Sequence, residues 1–231
     1  MRAVRIHEHG GPEVMSLDEV PLPEPGRGEV RVKVAVAGVN FIDVYKRTGF
    51  YDSGPLPVTL GQEGAGWVDA VGPGVDGVAA GERVCFWDAS GSYAEAVVLP
   101  AARAIPVPDA APGERPLELH TAAALALQGM TAHYLTHGIR PLAPGDSVLV
   151  HAAAGGVGLL AVGMAKLAGA TVFGTCSSEE KAERARQAGC DLVILYTRAD
   201  FVAAVHEATG GRGADLVIDG VGRSTFAGSV R

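Results

Sequence analysis

Apolar positions fall in two regimes along this chain. From Ser147 onward, short unbroken apolar runs alternate with stretches at helical spacing. Val148, Leu149 and Val150 form the first run, the small residues of HAAAGGVG follow, and Leu159, Leu160, Val162, Met164 and Leu167 then recur at helical intervals. That order predicts a strand, a tight glycine turn and a helix. Ala170–Thr175 predicts a second strand, and Ser178–Ala188 a helix that serine opens, acidic residues follow and Gly189 ends. Asp191–Tyr196 is a third strand, Asp200–Thr209 a helix stopped by Gly210 and Gly211, and Ala214–Asp219 a fourth strand. Alternation at this spacing implies right-handed crossovers and a parallel sheet buried on both faces.

Residues 1–120 have a different texture. Short extended runs at Ala3–Ile6, Val30–Val36, Gly64–Val71, Arg83–Trp87 and Tyr93–Leu99 are separated by turn-forming stretches such as LPEPGRGE, GPGVDG and AAGE. They predict a mostly β domain, a partly open barrel. A helix over Leu117–Leu135 joins it to the second part, and Ala143–Asp146 turns the chain into the first parallel strand. The expectation is two domains, 1–120 and 121–231, of α/β class. No internal repeat or low-complexity segment interrupts them.

Composition narrows the choice of partners. The 231 residues are 48% hydrophobic with 32 glycines, enough for a buried core with many turns. A net charge of -7 without a basic run disfavours nucleic acid and anionic membranes. Three scattered cysteines, Cys85, Cys176 and Cys190, make neither a disulfide framework nor a CxxC zinc site, which suits a reducing cytoplasm. The start, MRAVRIHEHGG, lacks the apolar core of a signal peptide. Val148–Ala165 carries no formal charge over nearly the length of a membrane span, but its central AAAGGVG would break a lipid-embedded helix.

The turn after the first parallel strand carries the chemistry. A glycine turn entering a helix aims backbone N–H groups and the positive helix end at one spot, which suits a pyrophosphate. Against the pattern Gly-x-Gly-x-x-Gly, Ala153 stands first, then Gly155 and Gly158. Alanine fits the first position if the turn there is not left-handed; Gly155 lets phosphates approach, and Gly158 lets the helix press on its strand. An NAD site carries an acid about 20 residues on. Here the second strand tip reads Thr175, Cys176, Ser177, Ser178, with Lys181 one turn into the helix. Hydroxyls, helix N–H groups and an ammonium suit a 2′-phosphate, hence NADPH. Glu179 and Glu180 oppose this unless they point to solvent.

The motifs GEVRVKVAVAGVNFIDVYKRTG, LGQEGAGWVDAVGPGV, AAGERV and HAAAGGVG, in that order, resemble the medium-chain dehydrogenase/reductase superfamily. The likeness is greatest to its zinc-free, zeta-crystallin-like NADPH:quinone oxidoreductase family and spans essentially the whole chain. It implies a GroES-like β-rich domain followed by a Rossmann domain, an active site in the cleft between them, and a small quinone or enone substrate. Zinc-dependent relatives carry Cys and His where this chain has Asn40 and Gln62, neither a usual zinc ligand. Glu63 alone makes no metal site. His133 and His137 share a helix face but lack a third ligand, and His7 and His9 suggest only a strand-edge role.

Without a metal, hydride transfer rests on the cofactor and on donors aimed at the acceptor oxygen. Tyr45 is the expected polarising donor and Asn40 the orienting group. The resemblance implies that Asn40, Phe41, Asp43, Tyr45, Thr131 and Tyr134 lie near the nicotinamide, although Asp43 by itself reads as a brace or cap. It also implies NADP contacts from Gly155, Gly156, Val157, Gly158, Ser177, Ser178, Lys181 and Tyr196. Relatives continue through two further strands and a dimer edge, so the chain is expected to be shortened and weakly active, with full-length relatives homodimeric. Two other readings stay open: an NADPH-dependent enone or enoyl reductase, and a non-catalytic, crystallin-like or redox-sensing NADPH-binding protein.

Overall fold

The computed structural model describes all residues, Met1–Arg231. They form two compact units, Met1–Leu127 and Gln128–Arg231.

The first unit is built from two antiparallel sheets. The smaller has the order β2-β1-β4, from Arg2–Ile6 (β1), Met15–Glu19 (β2) and Val58–Thr59 (β4). The larger has the order β7-β3-β5-β6-β8, from Glu29–Gly38 (β3), Glu63–Val71 (β5), Arg83–Phe86 (β6), Ala96–Pro100 (β7) and Ile105–Pro106 (β8). Alternate residues of the larger sheet, including Val30, Val32, Val68, Val84, Phe86, Val97 and Leu99, close one apolar core. The short helix Phe41–Arg47 (α1) follows β3 directly. The register between β3 and β5 slips between Val34 and Val36. Gly66 lies opposite that bulge, where a Cβ would collide with the Lys33 carbonyl, so only glycine lets the strands approach.

Two departures from the sequence reading have local causes. The strand expected over Tyr93–Leu99 starts only at Ala96, because Tyr93 and Ala94 pair elsewhere: Val4 N–H donates to Tyr93 O at 2.7 Å, and Ala94 bridges Ala3. The strand Met15–Glu19 was not expected; its alternating MSLDE exposes every second residue and is held by full pairing with β1.

Helix α2, Leu119–His133, runs across the boundary between the units. Its first turns bury Ala122 and Ala123 with Ala65 and Val107. Beyond His133 the helix widens into a π turn, Tyr134–Gly138, closed by Ile139 N–H to Tyr134 O at 3.0 Å. A Cβ on Gly138 would meet the Tyr134 ring.

The second unit is the expected alternation. Strands Ser147–Val150 (β9), Thr171–Cys176 (β10), Leu192–Leu195 (β11) and Leu216–Ile218 (β12) form a wholly parallel sheet of order β11-β10-β9-β12. Helices Gly156–Leu167 (α3), Glu179–Ala188 (α4) and Phe201–Ala208 (α5) connect them, and a short helix, Phe226–Ser229 (α6), follows β12. All four residues of β9 are buried because both faces are covered. Val148 and Val150 pack with Ala161, Val162 and Ala165 of α3 and Ala182 and Ala185 of α4. Leu149 faces the other way, onto Phe173, Ile194, Val205 and Phe201. The uncharged stretch Val148–Ala165 is thus a strand, turn and helix, and no helix is long and apolar enough to cross a membrane.

The chain moves outward from β9 through β10 to β11, then returns to place β12 on the other side of β9. Such a reversal opens a crevice at the carboxyl ends of the central strands. How closely α3 approaches them is set by Gly158, where a Cβ would strike Ala152 O and the Ala153 backbone. Gly163, on the same helix, has open space around its Cβ position and no positive φ. Gly158→Ala should therefore lower the midpoint of thermal unfolding. Gly163→Ala should raise it, by the roughly 0.5–1 kcal/mol that alanine gains over glycine inside a helix.

Candidate functional site: a dinucleotide pocket at the carboxyl edge of the parallel sheet

A cavity of about 490 Å³ opens at the carboxyl edge of this sheet. Its walls come from the β9–α3 turn (His151, Ala152, Ala154, Gly155), the tip of β10 and the start of α4 (Thr175, Cys176, Ser177, Lys181), the end of β11 (Tyr196) and the segment after β12 (Val221, Ser224, Thr225). Ala199, Asp200 and Phe201, leading into α5, complete it. Four residues expected as cofactor contacts, Gly155, Ser177, Lys181 and Tyr196, meet in this one cavity.

The turn is tight because one residue is left-handed. That residue is Ala152, with φ of 50°, and not Ala153, the position matching the first glycine of the pattern. Ala152 O accepts Gly155 N–H at 2.8 Å, and Ala153 N–H donates to Thr175 O at 3.1 Å, so the turn is bonded to itself and to β10. Gly155 caps α3 with extended backbone, and α3 begins at Gly156. At Gly156 a Cβ would strike the Gln128 side-chain oxygen. Val157 and Gly158 lie in the first turn of α3; Gly158 is buried against the strand turn, where it sets packing.

At the β10 tip the two serines divide their work. Ser177 lines the cavity, whereas Ser178 is the N-cap of α4, its hydroxyl accepting Lys181 N–H at 3.4 Å. The Lys181 side chain has no carboxylate within salt-bridge distance. Glu179, the opposing charge in the sequence, instead pairs with Arg186 at 3.3 Å. Burial pushes the Cys176 thiol up, and burial with nearby charges pushes that of Cys190 up to about 12, so neither favours the thiolate form.

Several lining residues carried no signal in the sequence. His151 and Thr175 read as ordinary strand ends, and Ser224 and Thr225 belong to a stretch without periodicity. Asp219, just after β12, accepts from Val221 N–H at 3.0 Å, Gly222 N–H at 2.9 Å and the hydroxyls of Thr225 and Ser229, each at 2.8 Å. Partial burial pushes its carboxyl up, but the donors from Gly222, Thr225, Ser229 and Val221 outweigh that and bring it down to about 2. This carboxylate ties the 219–229 segment into the cavity wall. Its partners lie close by in sequence, but in a stretch without periodicity that marks none of them.

In the first unit, Asn40, Phe41, Asp43 and Tyr45 lie at the start of α1 and within it. Asn40 Nδ2 donates to Glu63 Oε2 at 2.7 Å, and Glu63 Oε1 accepts Leu127 N–H at 2.6 Å. Glu63 is 1% exposed. Asp43, expected among the cofactor contacts, is 4% exposed, and its carboxylate turns inward to Asn40 N–H and the Tyr93 hydroxyl, each at 2.9 Å. Burial pushes that carboxyl up and also raises the Tyr93 phenol. Asp43 thus braces α1. Phe41 and Tyr45 are exposed, and Tyr45 packs with Phe41, Phe50 and Tyr51 at ring-centroid separations of 6.3, 5.4 and 5.2 Å. Thr131 sits half-buried in α2, and Tyr134 is exposed in the π turn.

The histidines weighed as metal ligands are accounted for. His133 and His137 stack face to face at 4.5 Å, His7 contacts Asp18 at 2.8 Å, and His9 contacts Arg47 O at 3.3 Å. No three His, Cys, Asp or Glu side chains gather as a metal site.

Comparison with known proteins agrees with this geometry. A family model for the alcohol dehydrogenase GroES-like domain matches residues 26–109, and one for zinc-binding dehydrogenases matches residues 156–231. The chain is 44% identical over 234 residues to a Burkholderia 2-haloacrylate reductase, covering 99% of this chain and 68% of that protein. It is 40% identical over 228 residues to quinone oxidoreductase 1 of Escherichia coli, covering 98% of this chain and again 68% of the relative. Among solved structures, Escherichia coli quinone oxidoreductase complexed with NADPH superimposes with a TM-score of 0.94 at 38% identity, covering 100% of this chain and 69% of that one. The chain therefore belongs to the medium-chain dehydrogenase/reductase superfamily, in its zeta-crystallin-like quinone oxidoreductase family.

Proposed function

We propose that this chain is an NADPH-dependent quinone oxidoreductase. The observation that carries the reading is the meeting of Ser177 and Lys181 with the Gly155 turn in one cavity, beyond a β10 tip that bears no carboxylate. A ribose hydroxyl would want an acid at that tip; a 2′-phosphate wants an ammonium and a hydroxyl. The residues present fit NADPH. The free N–H groups of Gly156 and Val157 at the α3 start hold the diphosphate, which Gly155 leaves room to approach; Ser177 and Lys181 hold the 2′-phosphate, and the Tyr196 ring flanks the adenosine. Ser178 contributes through its cap on α4.

When bound, NADPH supplies a hydride. The chain supplies position and protons. The exposed rings of Phe41, Tyr45, Phe50 and Tyr51, mutually tilted except for the stacked pair Phe50 and Tyr51, offer an apolar cluster for a planar acceptor such as a quinone to pack against. The Tyr45 hydroxyl donates toward the acceptor oxygen as negative charge grows there. Asn40, committed through Nδ2 to Glu63, orients the start of α1. Thr131 and Tyr134 remain contacts for the nicotinamide side.

The 2-haloacrylate reductase likeness keeps an electron-poor alkene as the competing acceptor. NADPH oxidation with 1,2-naphthoquinone should exceed that with 2-chloroacrylate or a simple enone in kcat/KM; the reverse order would make the chain an alkene reductase. In fluorescence titration, Lys181→Ala should weaken NADPH about tenfold and leave NADH within about twofold. Equal losses would remove the 2′-phosphate assignment. Tyr45→Phe should lower kcat by roughly tenfold to a hundredfold at unchanged NADPH affinity; an unchanged kcat would exclude the phenol as donor.

A further inference from the structure

His151 is the buried histidine of this chain, 4% exposed, while the other six are exposed or partly so. It lies in the wall of the dinucleotide cavity and outside the apolar clusters that hold the sheet together. Its Nδ1 lies 3.0 Å from Thr175 Oγ1, and its Nε2 lies 3.1 Å from Ser229 Oγ. The Phe201 ring meets it edge to face at 4.8 Å.

Counting protons fixes the state of the ring. The Ser229 hydroxyl has one proton and two acceptors within reach, Asp219 Oδ2 at 2.8 Å and Thr225 O at 3.0 Å. With that proton given to the Asp219 carboxylate, the stronger acceptor, the hydroxyl accepts from His151, so Nε2 carries the hydrogen. Nδ1 then offers its lone pair to the Thr175 hydroxyl, which is itself buried and has no other partner within hydrogen-bond distance. Every donor in the sequence Thr175, His151, Ser229, Asp219 is satisfied in this arrangement alone. A proton on Nδ1 would make the Thr175 hydroxyl the acceptor and leave its own proton buried without a partner.

The network joins three segments that reach the same edge of the sheet. His151 directly follows β9, Thr175 sits at the tip of β10, and Asp219 and Ser229 belong to the segment after β12. His151 N–H also donates to Ile218 O at 2.9 Å. The next residue is Ala152, the left-handed position on which the phosphate turn depends. A β-carbon resists that conformation, so the flanking bonds must hold it there. From this juxtaposition we infer that His151, as the neutral Nε2–H tautomer, is a positioning residue for the cofactor: its ring bolts the Ala152–Gly155 turn to the Thr175 and Ser224–Thr225 walls of the cavity. This role rests on the reading of the cavity as the NADPH site.

The test has two independent arms. In ligand-free protein at pH 7, long-range 1H–15N correlation should show the His151 ring neutral, with the hydrogen on Nε2; a charged ring or the Nδ1–H form overturns the inference. His151→Phe keeps the ring and its packing on Phe201 but removes both hydrogen bonds. It should raise the Kd and KM for NADPH about tenfold with kcat at saturation within about twofold. His151→Gln, which can still donate to Ser229, should recover part of that loss. If His151→Phe does not fold, Ser229→Ala, which removes the acceptor of the Nε2–H bond, is the variant to read, and a wild-type NADPH affinity there overturns the role. NADPH affinity within twofold of wild type in His151→Phe overturns the positioning role alone. A wild-type protein that takes up neither pyridine nucleotide overturns the cofactor reading and the role with it.

Discussion

The parallel sheet has to end β9 and start α3 within a few residues, without letting the helix drift from the strand. One left-handed alanine and two glycines meet that constraint. Ala152 reverses the chain, Gly155 opens the helix, and Gly158 lets α3 press on the turn. Because the helix starts there, its free N–H groups and the positive end of its dipole face the carboxyl edge of the sheet. The return of the chain to β12 beside β9 then leaves a crevice at that edge. The cavity is a consequence of topology, and the anion site proposed in it a consequence of the turn.

In the proposed reading, the other walls adapt that general site to one cofactor. At the β10 tip the chain places small hydroxyl residues where an acid would select a free ribose, and Glu179 is drawn away along α4 by Arg186. Lys181 is left facing the cavity. Electrostatic selection here depends as much on where the carboxylates are turned as on where the cation stands. The same economy appears in the first unit. Asp43 and Glu63 are buried acids, yet each oxygen that bonds does so to a donor that fixes α1 or the start of the Gln128 helix half, and neither side chain is presented as a ligand.

Much of this was legible in the sequence, for identifiable reasons. The βα alternation of residues 147–219 showed itself because strands buried on both faces are unbroken apolar runs and the helices carry serine or aspartate caps and glycine stops. Ser178 caps as expected, accepting from Lys181 N–H, and Asp200, where the next helix was expected to begin, caps it by accepting from Val202 N–H. Gly155, Ser177, Lys181 and Tyr196 were readable because each sits at a fixed offset from a strand end. What escaped the sequence was set by distant partners, as at His151, or by an irregular loop, as at Asp219. Nothing local separates His151 from a surface histidine, and Asp219 gains its donors from a loop without periodicity. Ala153 fits its place in the glycine pattern because it is not left-handed, as read; the left-handed residue is Ala152, which the pattern does not mark and which the bonds to Thr175 and Gly155 hold. Asp43 read both ways, and burial decided for the brace.

The central claim is that the Ala152–Gly158 turn and the β10 tip together receive a 2′-phosphorylated dinucleotide. Backbone amide resonances followed during NADPH titration test it most directly. The account predicts saturable shifts at Gly155, Gly156, Val157, Ser177 and Lys181, with those at Ser177 and Lys181 much smaller when NADH replaces NADPH. Shifts absent from the turn in a folded protein that still oxidises NADPH, or identical at Ser177 and Lys181 with both nucleotides, would contradict it.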